Sequence, residues 1–132
     1  MTDTRKSLGR LGESLACEHL VRQGWTILGQ NWRTRSGEID IVARDGDWLV
    51  FVEVRTRRAN RLGGDPYLGR PDDSVTPRKQ LQLARMAEAY LYAARSIGLS
   101  WKGPWRIDVV ALELAEDGAV ARLAHYRDAV GG

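Results

Sequence analysis

The sequence predicts a single α/β domain with the element order α-β-β-β-α-β-β. Three observations carry this reading. The chain has 132 residues, room for one hydrophobic core and not for two. Two stretches show helical periodicity bounded by capping residues, and the remaining apolar runs alternate as strands do. A hydrophobic share of 43% with 28% charged residues is an ordinary globular mixture, which argues against disorder or a coiled coil.

Ser7 is placed to cap a first helix reaching about Gln23, with Leu8, Leu11, Leu15 and Leu20 among its apolar residues and Gly24 to stop it. Trp25 to Arg33 reads as a strand. Glu38 to Arg44 and Trp48 to Arg55 alternate around Asp45-Gly46-Asp47, the signature of a β-hairpin. Residues 56 to 75 contain three glycines and two prolines without clear periodicity, and read as a long flexible surface loop. Thr76-Pro77 supplies an N-cap followed by proline at the first helical position, opening a second helix to about Ile97 before Gly98. Trp105 to Leu114 is a β run, Asp117-Gly118 a turn, and Ala119 to Tyr126 a last strand. No internal repeat or linker interrupts this order, so residues 1–132 read as one unit.

Several function classes are excluded at once. Apolar runs such as Trp48 to Val52 and Ala89 to Ala94 fall far short of the ~20 residues a membrane span requires. Asp3, Arg5, Lys6 and Arg10 leave no room for a signal peptide, so a cytoplasmic protein is expected. One cysteine, Cys17, rules out an internal disulfide, and with only His19 and His125 a structural zinc centre is not expected. The positive charge has a particular character: 20 basic residues against 17 acidic ones, of which all but Lys6, Lys79 and Lys102 are arginine. Arginine's planar fork suits phosphate, although codon bias in a GC-rich genome produces the same excess.

With Gly46-Asp47 as a two-residue turn, Asp40 lies directly across from Glu53. Ile39, Ile41 and Ala43 then share an apolar face with Val50, Val52 and Val54, while Glu38, Asp40, Glu53 and Arg55 gather on the other. Opposed like charges destabilise a sheet, so a cation must compensate. A divalent metal is one answer; the other is that Arg55 and further arginines neutralise a solvated edge. Glu13 shares a helical side with Gly9, Gly12, Ala16 and Leu20, small neighbours that permit close approach to the sheet and point the carboxylate inward. Lys79 shares a stripe with Leu83, Met86, Tyr90 and Ile97, at the first turn of the second helix's buried side; snorkelling to water is its other reading.

Gly12-Glu13, the run Gly37 to Ala43, the run Val50 to Arg57, Val75 to Lys79 and Arg106 to Val110 together resemble the bacterial YraN-like family, over about residues 8 to 113. Members of that family are predicted endonucleases of the PD-(D/E)xK superfamily, to which archaeal Holliday-junction resolvases are related. The resemblance implies a restriction-endonuclease-like core, a central mixed β-sheet flanked by helices. It implies that Glu13, Asp40 and Glu53 hold Mg²⁺ or Mn²⁺, with the carbonyl of Val54 as an extra ligand. One position departs from the pattern: the superfamily's catalytic lysine falls at Arg55, which cannot give up a proton near neutral pH. Arg55 can still bind the scissile phosphate, and Lys79 is placed to supply the amine; alternatively, a divalent ion lowers the pKa of water and no lysine is needed.

The expected function is therefore metal-dependent hydrolysis of DNA phosphodiester bonds by Glu13, Asp40, Glu53, Arg55 and Lys79. From Arg55 to Arg106 the chain carries 11 basic against four acidic residues, so charge is segregated. Arg55, Arg57, Arg58, Arg61, Arg78 and Lys79 are the expected nucleic-acid contacts. Backbone contacts position without reading sequence, which favours branched, flapped or nicked DNA as substrate. Trp101 and Trp105 either stack on an unpaired base or serve packing. Resolvase relatives act as symmetric dimers, so a homodimer is a further expectation of the resemblance. The rival readings are a nuclease-like fold that binds DNA or a partner protein without cutting, and a scaffold in which the acidic hairpin belongs to an ion-pair network.

Overall fold

The computed structural model describes residues 4–59 and 76–130. Helix α1 spans Thr4–Arg22, followed by β1 (Thr26–Thr34), β2 (Gly37–Asp45), β3 (Trp48–Arg58), α2 (Pro77–Ser96), β4 (Trp105–Leu114) and β5 (Val120–Tyr126). The strands form one five-stranded sheet in the order β1-β2-β3-β4-β5. Adjacent strands are antiparallel except β3 and β4, whose parallel pairing requires the crossover that α2 provides. The expected α-β-β-β-α-β-β order and mixed sheet are both present.

One helix covers each face. Ala16 and Leu20 of α1 pack with Ile41, Ala43, Val50, Val52, Val110 and Leu112. Leu83, Met86 and Ala87 of α2 pack on the opposite face with Val42, Phe51, Ile107 and Val109. The single charged residue within this interior, among those described, is Asp108 at 0% exposure. It accepts hydrogen bonds from Arg106 Nε at 3.0 Å, His125 Nε2 at 2.9 Å and the Asp128 N–H at 2.9 Å. Arg106 also reaches Asp45 at 2.9 Å and lies over the rings of Trp25 and Trp48.

Several local expectations need correction. Ser7 is not the cap of α1, because the helix already runs from Thr4; Arg5 and Lys6 favour helix, so the first turn forms upstream of the serine. Residues 56–58 belong to β3 and not to a loop, since β4 is long enough to pair with Thr56, Arg57 and Arg58 through Leu112, Glu113 and Leu114. The rest of the expected loop, residues 60–75, lies outside the described residues. Ile97 is the C-cap of α2 and is 73% exposed, so it leaves the buried stripe that Leu83 and Met86 occupy. Thr76 does cap that helix, its side chain accepting from the Lys79 N–H at 3.2 Å. Trp101 lies against the α2-side core, and the Trp105 ring, 36% exposed, meets Phe51 edge-on.

Gly12 sets how closely α1 approaches the sheet. A Cβ at this position would overlap the Thr56 side chain, whereas one at Gly9 would meet nothing within 4 Å. Gly9→Ala is therefore expected to raise stability by about 0.5–1 kcal/mol through helix propensity. Gly12→Ala, with the same propensity gain, is expected to lower it by about 1–3 kcal/mol through overpacking. Urea unfolding of the two variants checks this pair; equal effects would contradict the close approach that aims Glu13.

Candidate active site

The site forms where the hairpin comes apart. Gly46, at φ +58°, opens the two-residue turn, and pairing runs from Asp45↔Trp48 to Ile41↔Val52. That register places Asp40 opposite Glu53, but the ladder ends one step earlier. On the other side, β1 pairs Gln30↔Ile41 and Trp32↔Ile39, skipping Asn31, which adopts a left-handed φ of 55°. The β2–β3 ladder thus ends just before Asp40, while β1 holds its register past this point and carries its irregularity between Ile27 and Gly29. In place of a strand carbonyl, Asp40 Oδ2 accepts the Val54 N–H at 2.8 Å. Beyond the end of the β2–β3 ladder Ile39 turns toward α2 although Ile41 faces α1, which corrects the expected uniform apolar face.

Around this break the chain gathers acids from both layers. Carboxylate oxygens of Glu13, Glu38 and Asp40 all lie within 4.8 Å of one another. Asn31, in the amide orientation that satisfies both neighbours, donates to Glu13 Oε2 at 2.9 Å and to Glu38 Oε1. Glu53 points to the α2 side, because its neighbours Val52 and Val54 face α1. There its Oε1 lies 3.5 Å from Lys79 Nζ.

The electrostatics match the geometry. Burial first, and then the charge of Glu53, push the Asp40 carboxyl up to about 7, against the Val54 hydrogen bond that lowers it. Burial raises Glu13, with Glu38 adding to the effect and Asn31 opposing it. Glu53 is also raised by burial, although Lys79 and Arg55 pull it down. Each acid would be easier to ionise if a further cation lay among them. An all-carboxylate donor set is hard, and suits Mg²⁺ or Mn²⁺ over thiolate-seeking metals.

Of the residues expected from sequence, Glu13 and Asp40 meet directly, and Glu53 stands behind them with Lys79 and Arg55. Val54 touches the cluster through its N–H. Glu53 is not in the oxygen trio: alternation along β3 turns it to the α2 side, from where its charge still raises Asp40, and Glu38 is the third member of the trio. Arg55 and Arg57 are half-buried on β3, Arg58 is exposed with Nη1 3.5 Å from the Ala115 carbonyl, and Arg78 is exposed at the start of α2. Arg61 lies outside the described residues. Sequence reasoning placed Glu38 on the polar face without giving it a role, and it missed Asn31. The available signal for Asn31 was its type: asparagine is among the few residues that adopt positive φ readily.

A model of the uncharacterised protein family UPF0102 matches residues 12–112, a span that includes Glu13, Asn31, Glu38, Asp40, Glu53 and Lys79. The chain belongs to the UPF0102 family. It is 50% identical over 121 residues to a UPF0102 protein of Acidothermus cellulolyticus, covering 86% of this chain and 87% of that one. It is 45% identical over 131 residues to one from Roseiflexus castenholzii, with 98% of both chains covered, and 41% over 127 residues to one from Herpetosiphon aurantiacus, with 96% of both covered. The resemblance to YraN-like proteins stands at the level of UPF0102. Among the described residues of this UPF0102 protein, no helix is long and apolar enough to cross a membrane.

Proposed function

We propose that this UPF0102 protein is a divalent-metal-dependent endonuclease that hydrolyses DNA phosphodiester bonds and selects branched, flapped or nicked structure over sequence. The observation that carries the reading is the oxygen trio of Glu13, Glu38 and Asp40, built where the β2–β3 ladder ends and supplied by two different layers of the fold. Glu13, Glu38 and Asp40 would hold Mg²⁺ or Mn²⁺, which supplies Lewis acidity to a phosphoryl oxygen and lowers the pKa of water.

The remaining roles follow from the side chains themselves. Lys79, steadied by Glu53 at 3.5 Å, offers from α2 an ammonium beside the carboxylates; as an ammonium it donates and does not act as a base, so activation of the water falls to the metal. It donates to a phosphate oxygen and stabilises the charge that grows as water attacks phosphorus and the leaving oxygen departs. Arg55 adds a second positive charge near Glu53 on the same strand. The Val54 N–H fixes the Asp40 rotamer, which keeps the trio assembled before substrate arrives.

The test is cleavage of a panel of branched, flapped, nicked, single-stranded and linear DNAs with Mg²⁺ or Mn²⁺, beside Asp40→Asn and Glu53→Ala. The expected result is cleavage of one or more structured DNAs by the wild type and a loss of at least about 10²-fold in each variant, the scale on which electrostatic and general acid–base groups act. Equal product from wild type and variants would identify a contaminant and remove the proposal.

A further inference from the structure

Two basic grooves lie on opposite faces of the sheet: one is lined by Glu13 and Glu38 of the carboxylate cluster, the other adjoins it through Lys79, 3.5 Å from Glu53, and the basic segment noted in the sequence accounts for only this second one. The first, about 360 Å³, is walled by Lys6 and Arg10 of α1 and Arg33 of β1, with Glu13, Glu38 and Asn31 also lining it. The second, about 560 Å³, is walled by Arg78, Lys79 and Arg85 of α2 and by Ser36 of the β1–β2 turn, and among the described residues no acid lines it. Gln82 Nε2 donates to the Ser36 carbonyl at 3.0 Å, which fastens that turn to α2 and shapes the second groove. Since α1 and α2 cover opposite faces, the two sets of cations stand on either side of the sheet.

The first groove is the more informative. Lys6, Arg10 and Arg33 are far from the basic segment in sequence, yet the fold brings them to the acidic cluster. Arg33 Nε is held 3.2 Å from Glu38 Oε2, so one cation is tied to the trio itself. Lys6 and Arg10 are exposed one helical turn apart on α1, and Arg78 and Arg85 are exposed two turns apart on α2. A ligand small enough to sit on the carboxylates alone would leave both sets of cations unused. A polyanion that continues in both directions from the cluster would engage both.

We infer that this chain grips a nucleic-acid backbone on both sides of the phosphate over the carboxylate cluster, with Lys6, Arg10 and Arg33 as one arm and Arg78, Lys79 and Arg85 as the other. The inference rests on the nuclease reading and sharpens it. Phosphates must extend on both sides of the cut, so the enzyme acts inside a strand and not on free ends or mononucleotides. Long-range cation contacts to phosphate also make the grip salt-dependent and independent of base sequence.

The experiment measures binding of a fluorescently labelled DNA duplex by anisotropy, with the full chain in EDTA so that no strand is cut, across a series of salt concentrations. Two double variants are compared, Lys6→Gln with Arg10→Gln and Arg78→Gln with Arg85→Gln; all four positions are exposed, and thermal unfolding verifies the fold. Each pair is expected to reduce the slope of log K against log salt by about 2, at roughly 0.9 per lost phosphate contact. A slope unchanged by the Lys6/Arg10 pair, or no wild-type binding at all, would overturn the two-sided grip. The outcomes separate from those of the nuclease reading. Two-sided, salt-dependent binding without any Mn²⁺-dependent cleavage removes the nuclease reading and leaves the grip. Cleavage with slope loss confined to the Arg78/Arg85 pair removes the grip and leaves the nuclease.

Discussion

Replacing Asp108 with alanine is expected to lower stability by about 3–5 kcal/mol, the usual cost of removing one partner from a buried, hydrogen-bonded charge pair. The carboxylate is fully buried on β4, and it accepts from Arg106, His125 and the Asp128 N–H. Without it, the Arg106 guanidinium, only 9% exposed, keeps Asp45 alone as a counter-ion at 2.9 Å. His125 loses the acceptor for Nε2, and the backbone turn at Asp128 loses its anchor. Burial by itself would raise the Asp108 pKa; the hydrogen bonds from His125, Arg106 and the Asp128 N–H reverse that and hold it below the ordinary carboxylate value. A group depressed in this way contributes its stability above the unfolded-state pKa of about 4 and loses it as pH falls through the lower folded value. The wild type should therefore weaken below about pH 4, and the part of that acid limb due to Asp108 should vanish in Asp108→Ala. Urea unfolding at neutral and acid pH measures both effects. A loss under about 1 kcal/mol at neutral pH would show that the network is not what ties β4 and β5 to the end of the hairpin.

Asp40→Asn should act in the opposite direction. With its pKa pushed up to about 7, Asp40 favours folding while protonated and opposes it once ionised. Its contribution is complete below the unfolded-state value of about 4 and is lost as pH rises through about 7. In EDTA at pH above 7, asparagine should stabilise the protein on the order of 2–4 kcal/mol, since its carbonyl can still accept the Val54 N–H while the buried charge is gone. Near pH 5 the gain should shrink. The same variant should lose stabilisation by Mn²⁺, which the wild type gains by mass action on the folded state. Thermal melts at the two pH values, with EDTA and with Mn²⁺, separate these effects. A variant less stable than wild type in EDTA above pH 7 would contradict the strained cluster.

Most of the fold was legible because its signals are local. Asp45-Gly46-Asp47 sets the hairpin register, Thr76-Pro77 starts α2, and the helices' apolar stripes select the faces they cover. What escaped was decided by neighbours. Thr56 to Arg58 look like a loop until β4 offers them partners. Ile39 and Ile41 sit two apart and should share a face, yet they are divided between the two cores where the β2–β3 ladder ends at Ile41 and Asn31 takes a positive φ across from Asp40. The candidate site was half legible. The opposition of Asp40 and Glu53 follows from the turn, and the inward aim of Glu13 from its small neighbours. The entry of Glu38 into the oxygen trio depends on that same ladder end, and the approach of Lys6, Arg10 and Arg33 on how α1 lies over β1. Neither leaves a mark in local sequence.

The central claim, that Glu13, Glu38 and Asp40 form a divalent-cation site, is tested most directly by calorimetric titration of Mn²⁺ into the wild type, Asp40→Asn and Glu38→Gln. The account predicts measurable Mn²⁺ binding to the wild type and its loss in both variants, each of which stays folded. Wild-type protein that takes up no Mn²⁺, or variants that bind it as the wild type does, would contradict it.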